Sequence, residues 1–207
     1  MEITEYRASL KGKILKASMQ EFVSKGIRPV RMDDIANSLA ISKRTLYEIY
    51  SNKEELLLES TRMSEEEYDC HIRTYREDPQ HNVIDILIES YNYRIKRLSG
   101  VNPMFFSDMR KYQSVVAYFE QIKAERHTRT IEFFKQGVSE GCFRPDVNFD
   151  IFCRIANASM EFIMQNQMYK EYDLKYILDN VIMLYVRGIC TEKGLGQLEA
   201  CIAENKI

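Results

Sequence analysis

The sequence predicts an all-α protein, and three observations carry that prediction. Punctuation is sparse, with four prolines and eight glycines in 207 residues. The long segments between Pro29, Pro79, Pro103 and Pro145 repeat apolar residues at the helical period rather than the strand period. No internal repeat, low-complexity tract or convincing strand interrupts them.

The elements follow in order. Leu10, Ile14, Ala17 or Ser18, and Phe22 form one apolar stripe, closed by Lys25-Gly26 as a basic last turn and a glycine stop. Short helices over about 33–39 and 43–49 come next. Ser51-Asn52-Lys53-Glu54 has the pattern of a capping box, in which the Ser51 hydroxyl accepts from the Glu54 amide and the Glu54 carboxylate reaches back. The helix it opens runs to about Tyr75. Further helices are expected at about 82–98, 103–112, 114–139, 150–169, 174–193 and 196–205, with Asn148 as an N-cap. The natural boundary lies near residue 53, dividing a head, residues 1–53, from a body, residues 54–207. The helix starting there bridges the two parts.

Hydrophobic residues at 45% and charged residues at 29% fit a globular chain and exclude a disordered one. A net charge of −2 excludes a uniformly basic nucleic-acid coat. The distribution is more informative. Residues 1–53 carry ten Lys/Arg against six Asp/Glu, and residues 54–207 carry nineteen against twenty-five. A basic head on an acidic body suits a protein that touches phosphates with one end only. No apolar run follows a basic start, and no stretch is long and apolar enough for a membrane span. Five cysteines without a C-x-x-C pair fit reduced thiols, so a cytoplasmic location away from membranes is expected.

Residues 33–50 carry the function. Two short helices meet across Ala40-Ile41-Ser42, with Ile35, Ala36, Leu39, Ile41, Leu46 and Tyr50 at the positions a shared core needs. Ala36 is small where the helices must cross closely. Ser42 is placed to cap the second helix, which leaves Lys43, Arg44, Thr45 and Tyr47 on its first two turns. In a helix-turn-helix those positions enter the major groove of DNA, and cations and hydroxyls around them bind phosphates. Lys53 adds a cation at a helix N-terminus, suited to a phosphate oxygen.

The run Ile14 through Phe22, Gly26, Met32, Asp34-Ile35-Ala36, Ile41-Ser42, Thr45-Leu46-Tyr47, Tyr50 and Lys53-Glu54-Glu55-Leu56 resembles the N-terminal signature of the TetR family of transcriptional regulators. The resemblance covers roughly residues 10–57. It implies a three-helix DNA-binding domain followed by a larger helical domain for ligand binding and dimerisation. It further implies a homodimer on a palindromic double-stranded operator, acting as a ligand-responsive repressor. Lys43, Arg44, Thr45 and Tyr47 are then the expected base or near-base contacts, with Ser42 capping their helix. Arg31, Tyr50 and Lys53 are expected at the DNA backbone or supporting it. Two positions depart from the family pattern. Arg31 stands where a capping Thr or Ser is usual, and Ala40 stands where the turn usually has Gly, at a cost of about 1 kcal/mol if the residue is left-handed.

The same resemblance places a small-molecule pocket among the middle helices of the body. Tyr91, Arg94, Phe106, Met109, Tyr112, Phe119 and His127 lie on those segments and mix apolar bulk with polar tips, as ligand sites do. The alternative is that such aromatic stripes are plain core. The helices at about 150–169 and 174–193 carry Ile155, Ser159, Phe162, Ile163 and Asn166, then Ile177, Val181, Leu184, Tyr185 and Gly188. Both are apolar on more than one side, which favours a four-helix dimer interface over mere closure of the monomer core.

Enzymatic signatures are missing. His71, His81 and His127 stand at no metal-ligand spacing, there is no P-loop or dinucleotide fingerprint, and Cys142 has no recognisable base beside it. No catalytic residue, metal or cofactor is expected. The competing readings are a ligand-independent DNA-binding factor working through a protein partner, and a helical interaction module that never meets DNA.

Overall fold

Gly26 ends the first helix where the sequence places the stop. The Gly26 amide donates to the Phe22 carbonyl at 2.9 Å, and its φ of 85° is a left-handed conformation natural to glycine. A Cβ at this position would also stand 3.0 Å from Cβ of Met104. Both the backbone and the neighbour select glycine.

The computed structural model describes the backbone of residues 2–205 and the side chains of residues 7–204. The helices are α1 (Glu2–Lys25), α2 (Met32–Ser38), α3 (Lys43–Ile49), α4 (Lys53–Arg76), α5 (Val83–Leu98), α6 (Pro103–Met109), α7 (Gln113–Ser139), α8 (Phe149–Gln165), α9 (Leu174–Ile189) and α10 (Glu192–Asn205), with a 3₁₀ turn at Met168–Lys170. Among the described residues there is no named strand, only an isolated antiparallel bridge between Phe143 and Cys190. The protein is all-α, as its sequence predicts. Among the described residues no helix is long and apolar enough to cross a membrane.

Several helix ends differ from the periodicity, each for a local reason. The α4 cap sits one residue later than expected. Asn52, not Ser51, accepts the N3 amide, from Glu55 at 2.9 Å, and the Glu55 carboxylate accepts from the Ser51 amide at 2.7 Å. α8 stops at Gln165 because Gln167 turns left-handed at φ 54°. α9 stops at Ile189 because Cys190 extends to pair with Phe143. α10 starts earlier than expected, because Gly194 looks like a breaker in sequence but is a contact residue here. A Cβ on Gly194 would lie 2.1 Å from the Cys142 carbonyl oxygen, so only glycine lets the helix pass. Asn148 caps α8 as expected, accepting from Asp150 and Ile151 at 3.1 Å.

The chain forms two compact units. The first comprises Met1–Tyr68 and Gly100–Gln121, the second Asp69–Ser99 and Ile122–Ile207. The first therefore takes in α6 and the start of α7 together with the N-terminal helices. Its interior is built on Ile14, Phe22, Ile27, Ile35, Leu46 and Leu56, all fully buried. The second is built on Val83, Ile84, Phe143 and Leu198, with Phe134 stacked on Phe149 at 4.8 Å between ring centroids. Burial of this many large side chains is the main driving force for each unit.

Candidate nucleic-acid interface

The turn between α2 and α3 is fixed by its own backbone. The Ile41 amide donates to the Ala36 carbonyl at 3.0 Å and the Ala40 amide to the Asn37 carbonyl at 3.1 Å. These are the two bonds of a Schellman motif, and Ala40 occupies its left-handed position at φ 52°. The departure from glycine is thus real strain, accepted by the fold. Ile35, Ala36, Leu46 and Tyr50 are buried as the sequence requires, while Leu39 and Ile41 are half-buried. Two short helices locked at a turn and anchored through one face form a rigid platform.

The opposite face of α3 is open. Ser42 caps the helix, its hydroxyl accepting from the Thr45 amide at 3.0 Å and meeting the Thr45 hydroxyl at 2.7 Å. Lys43 and Arg44 are exposed, Tyr47 is 44% exposed, and Thr45 is half-buried. Each cation has a light restraint. Lys43 Nζ lies 2.7 Å from Asp33 and Arg44 Nε 2.8 Å from Glu48. The carboxylates raise both cations' pKa values, so both are charged near neutrality. Solvated pairs of this kind contribute little and yield readily to a stronger anion such as a phosphate. Asp33 and Glu48 are the functional neighbours that the sequence reading overlooked. The helical spacing of Arg44 and Glu48 could have revealed one of them.

Arg31 is exposed and forms the N-cap of α2 through its backbone alone. A guanidinium has no acceptor to offer, and half of the cap is supplied by Asp34, whose carboxylate accepts the Arg31 amide at 2.8 Å. Its side chain stays at the surface beside the turn.

Tyr50 and Lys53, expected at the DNA backbone or supporting it, both take supporting positions. Tyr50 is only 5% exposed. Burial, followed by Glu59 and Glu55, pushes its phenol up to about 12. It supports the platform from within. Lys53 does not hold its ammonium free for a phosphate. Its Nζ donates to the carbonyls of Ile27, Arg28 and Val30 at 3.0, 3.2 and 3.0 Å. Three protons meet three carbonyls of the α1–α2 turn, so the expectation of a free phosphate-binding cation is revised. The long sequence separation hid this arrangement.

The seven residues expected at a ligand pocket fall into both compact units. In the first, Phe106 is buried, and Met109, Tyr112 and Phe119 are half-buried. In the second, Tyr91 is buried, and its hydroxyl has no hydrogen-bond partner among the described residues. Arg94 is exposed. His127 is half-exposed and lies 3.0 Å from Asp150 on the first turn of α8, so it sits in a surface pair rather than an apolar recess. An open groove of about 540 Å³ in the second unit is lined by His71, Glu89, Asn92, Tyr93, Lys96 and Arg97 and includes none of the seven.

The same N-terminal stretch is similar to known regulatory proteins. Residues 14–60 match the profile of the bacterial regulatory proteins of the tetR family. Over those residues the chain carries the N-terminal tetR-family segment. Over 162 residues it is 24% identical to the HTH-type transcriptional repressor KstR2 of Mycobacterium tuberculosis, a match that covers 70% of this chain and 75% of the repressor. The structure of the ketosteroid transcriptional regulator KstR2 from that organism superposes with a TM-score of 0.57 at 19% identity, covering 88% of this chain and 95% of the other. The fatty acid degradation regulator FadR from Bacillus halodurans superposes at 0.64 with 17% identity, covering 85% and 94%. At these identities the structural likeness shows a shared fold. The tetR-family match and the similarity to named repressors support a transcriptional regulator with a helix-turn-helix DNA-binding segment.

Proposed function

We propose that this tetR-family protein is a ligand-responsive repressor that binds a palindromic operator as a homodimer in the cytoplasm. Residues 1–53 act as the DNA-binding head and residues 54–207 as the regulatory body. The observation that carries the reading is the exposed first two turns of α3, with Lys43, Arg44 and Tyr47 turned out from a platform locked by Leu46 and Tyr50. Lys43, Arg44, Thr45 and Tyr47 read or adjoin base edges, and Ser42 orients them by capping the helix. Arg31 serves the phosphate backbone. Tyr50 and Lys53 serve it indirectly, by holding the platform.

The dimer reading rests on an apolar surface. Ile151, Ile155 and Phe162 on α8 are 54%, 51% and 59% exposed, and Tyr176 and Leu184 on α9 are 59% and 70% exposed. Their spacing lines up one stripe on each helix. Gly188 faces open space, with nothing within 4 Å of where its Cβ would stand, so its smallness is unused inside the monomer. Exposed apolar stripes of this kind fit an isologous four-helix contact.

The effector is read as a largely apolar molecule with at least one hydrogen-bond acceptor. The buried, unpartnered Tyr91 hydroxyl supports an acceptor, since a buried donor gains by meeting one. Two similar proteins are named for ketosteroid and fatty acid regulation, which fits an apolar body for the effector. Selection from randomised duplexes tests the whole reading. A short inverted repeat should be enriched without added ligand. Thermal-shift screening, followed by gel shifts on that repeat, should then find a compound that lowers affinity by the 5- to 150-fold typical of such coupling. A wild-type protein that enriches no duplex at moderate salt contradicts the proposal.

A further inference from the structure

Asp108 is the one acidic side chain among the buried polar residues of the described structure, at 3% exposure. Its position is unusual among the described acids, which otherwise lie at or near the surface. Oδ2 accepts the Arg28 amide at 2.8 Å, across eighty residues of sequence, and Oδ1 accepts from Lys111 Nζ at 3.0 Å. Arg28 lies in the α1–α2 turn, the same turn whose carbonyls hold Lys53. The turn is thus gripped from two sides, by an ammonium on its carbonyls and a carboxylate on its amide.

The other end of α6 grips α1 as well. The Asn102 amide donates to the Val23 carbonyl at 2.8 Å, and Asn102 Nδ2 donates to the Ser24 carbonyl at 3.4 Å. The last carbonyls of a helix have no partner within it, so Asn102 and Gly26 together complete the end of α1. At the next helix, Ser114 Oγ donates to Glu54 on the first turn of α4 at 2.7 Å. Residues 100–121 belong to the compact unit of the DNA-binding helices, yet both their ends continue covalently into the other unit. Asp108 is the buried polar tie within that inserted segment.

We infer that Asp108 is a positioning residue for operator binding: through the Arg28 amide it fixes the α1–α2 turn, and with it the angle at which α2 and α3 are presented. Resting on the proposed DNA-binding function, this names the element outside the head that sets its geometry. Loss of the tie lets the turn sample other arrangements, and apparent affinity falls with the fraction that remains competent. Asparagine at this position keeps an oxygen for the Arg28 amide while giving up the charge facing Lys111. Alanine keeps neither.

The test uses the full chain, the duplex selected by the wild type, and three readouts: operator affinity at least 20 °C below melting, hydrogen exchange of the peptide covering residues 26–31, and the melting temperature. Asp108→Ala should raise exchange at the Arg28 amide about tenfold and weaken operator binding about tenfold. Asp108→Asn should stay within about threefold of wild type in both. A residue with a purely structural role would lower melting in Asp108→Ala and leave affinity at low temperature untouched. If Asp108→Ala does not fold, Asn102→Ala decides the matter, with binding weakened about threefold if the inference holds. Wild-type affinity in a folded Asp108→Ala, or an Arg28 amide that stays protected there, overturns the inference. Where only Asn102→Ala folds, its unchanged affinity overturns it. A wild type that selects no duplex removes the proposed function, and this inference with it.

Discussion

Asp33 holds the Lys43 ammonium at 2.7 Å across the turn between α2 and α3. One acid on the first helix of the pair thus restrains a cation on the second, at the surface assigned to DNA. The restraint has two consequences for binding. Lys43 must leave Asp33 to reach a phosphate or a base, and Asp33 stays behind as a negative charge near the DNA. Asp33→Asn should strengthen binding to unselected duplex about threefold to tenfold at low salt and steepen its salt dependence. Fluorescence anisotropy against random-sequence duplex at several salt concentrations measures this, and unchanged affinity would show that Lys43 does not face the phosphates.

Lys53 gives a prediction of the opposite kind. With its ammonium on three carbonyls of the α1–α2 turn, Lys53→Met should lower stability by about 1 kcal/mol, the cost of leaving partly buried acceptors to solvent. The salt slope of DNA binding should not change. Calorimetry and salt titration together separate the two roles. An unchanged melting temperature with a slope shallower by about 0.9 per head would return the residue to phosphate binding.

Ala40 predicts a gain. Its left-handed backbone costs about 1–2 kcal/mol relative to glycine, and the greater freedom of glycine in the unfolded chain returns about 0.4–1 kcal/mol of that. Ala40→Gly should therefore stabilise the protein by about 0.5–1 kcal/mol and raise melting by about 1–4 °C. A lower melting temperature would mean that the turn is not left-handed at residue 40.

The head was legible because its rules are written in neighbouring residues. Ser42 stands three residues before Thr45, Gly26 follows the stripe of α1, and Ile35, Ala36, Leu46 and Tyr50 fall on the buried face by spacing alone. The capping box at α4 was legible in kind but not in register. Ser51 and Asn52 are both good caps, and acids follow at both 54 and 55, so two adjacent registers read equally well. What stayed hidden joins distant residues. Nothing near Lys53 announces the carbonyls of Ile27, Arg28 and Val30, and nothing near Asp108 announces the Arg28 amide. A lone acid beside Phe105 and Phe106 was the available signal. His127 shows the converse: it reads as a polar tip in an apolar site, and periodicity locates the helix of its partner Asp150 in the sequence but not its packing beside His127.

Tyr50 makes stability depend on alkaline pH. Its phenol is pushed up to about 12 by burial, with Glu59 and Glu55 adding to the effect. The folded value lies above the ordinary tyrosine value of about 10, so the unfolded chain releases its proton first. The stabilisation is fully present below about pH 10 and is lost as pH rises through the folded value. Tyr50→Phe removes this contribution. Its melting temperature should fall less steeply than that of the wild type between pH 10 and 12, and equal slopes would place the phenol in solvent.

The apolar stripes of α8 and α9 predict the oligomeric state. Leu184 is 70% exposed, so Leu184→Glu should fold normally as a monomer while converting the dimer to half its mass in sedimentation equilibrium. A charge buried without a partner is strongly unfavourable at an interface. A variant that remains dimeric would move the interface elsewhere.

The central claim is that the first two turns of α3 read DNA. The most direct measurement is binding of the Lys43→Ala, Arg44→Ala double variant to the inverted repeat selected by the wild type, across a range of salt. Both side chains are exposed and their ion pairs are solvated, so the variant should remain a folded dimer. The account predicts a loss of at least 100-fold in affinity for the selected repeat and a log–log salt slope smaller by about 2 per head. A folded, dimeric double variant that binds the repeat as tightly as the wild type, with the same slope, would contradict it.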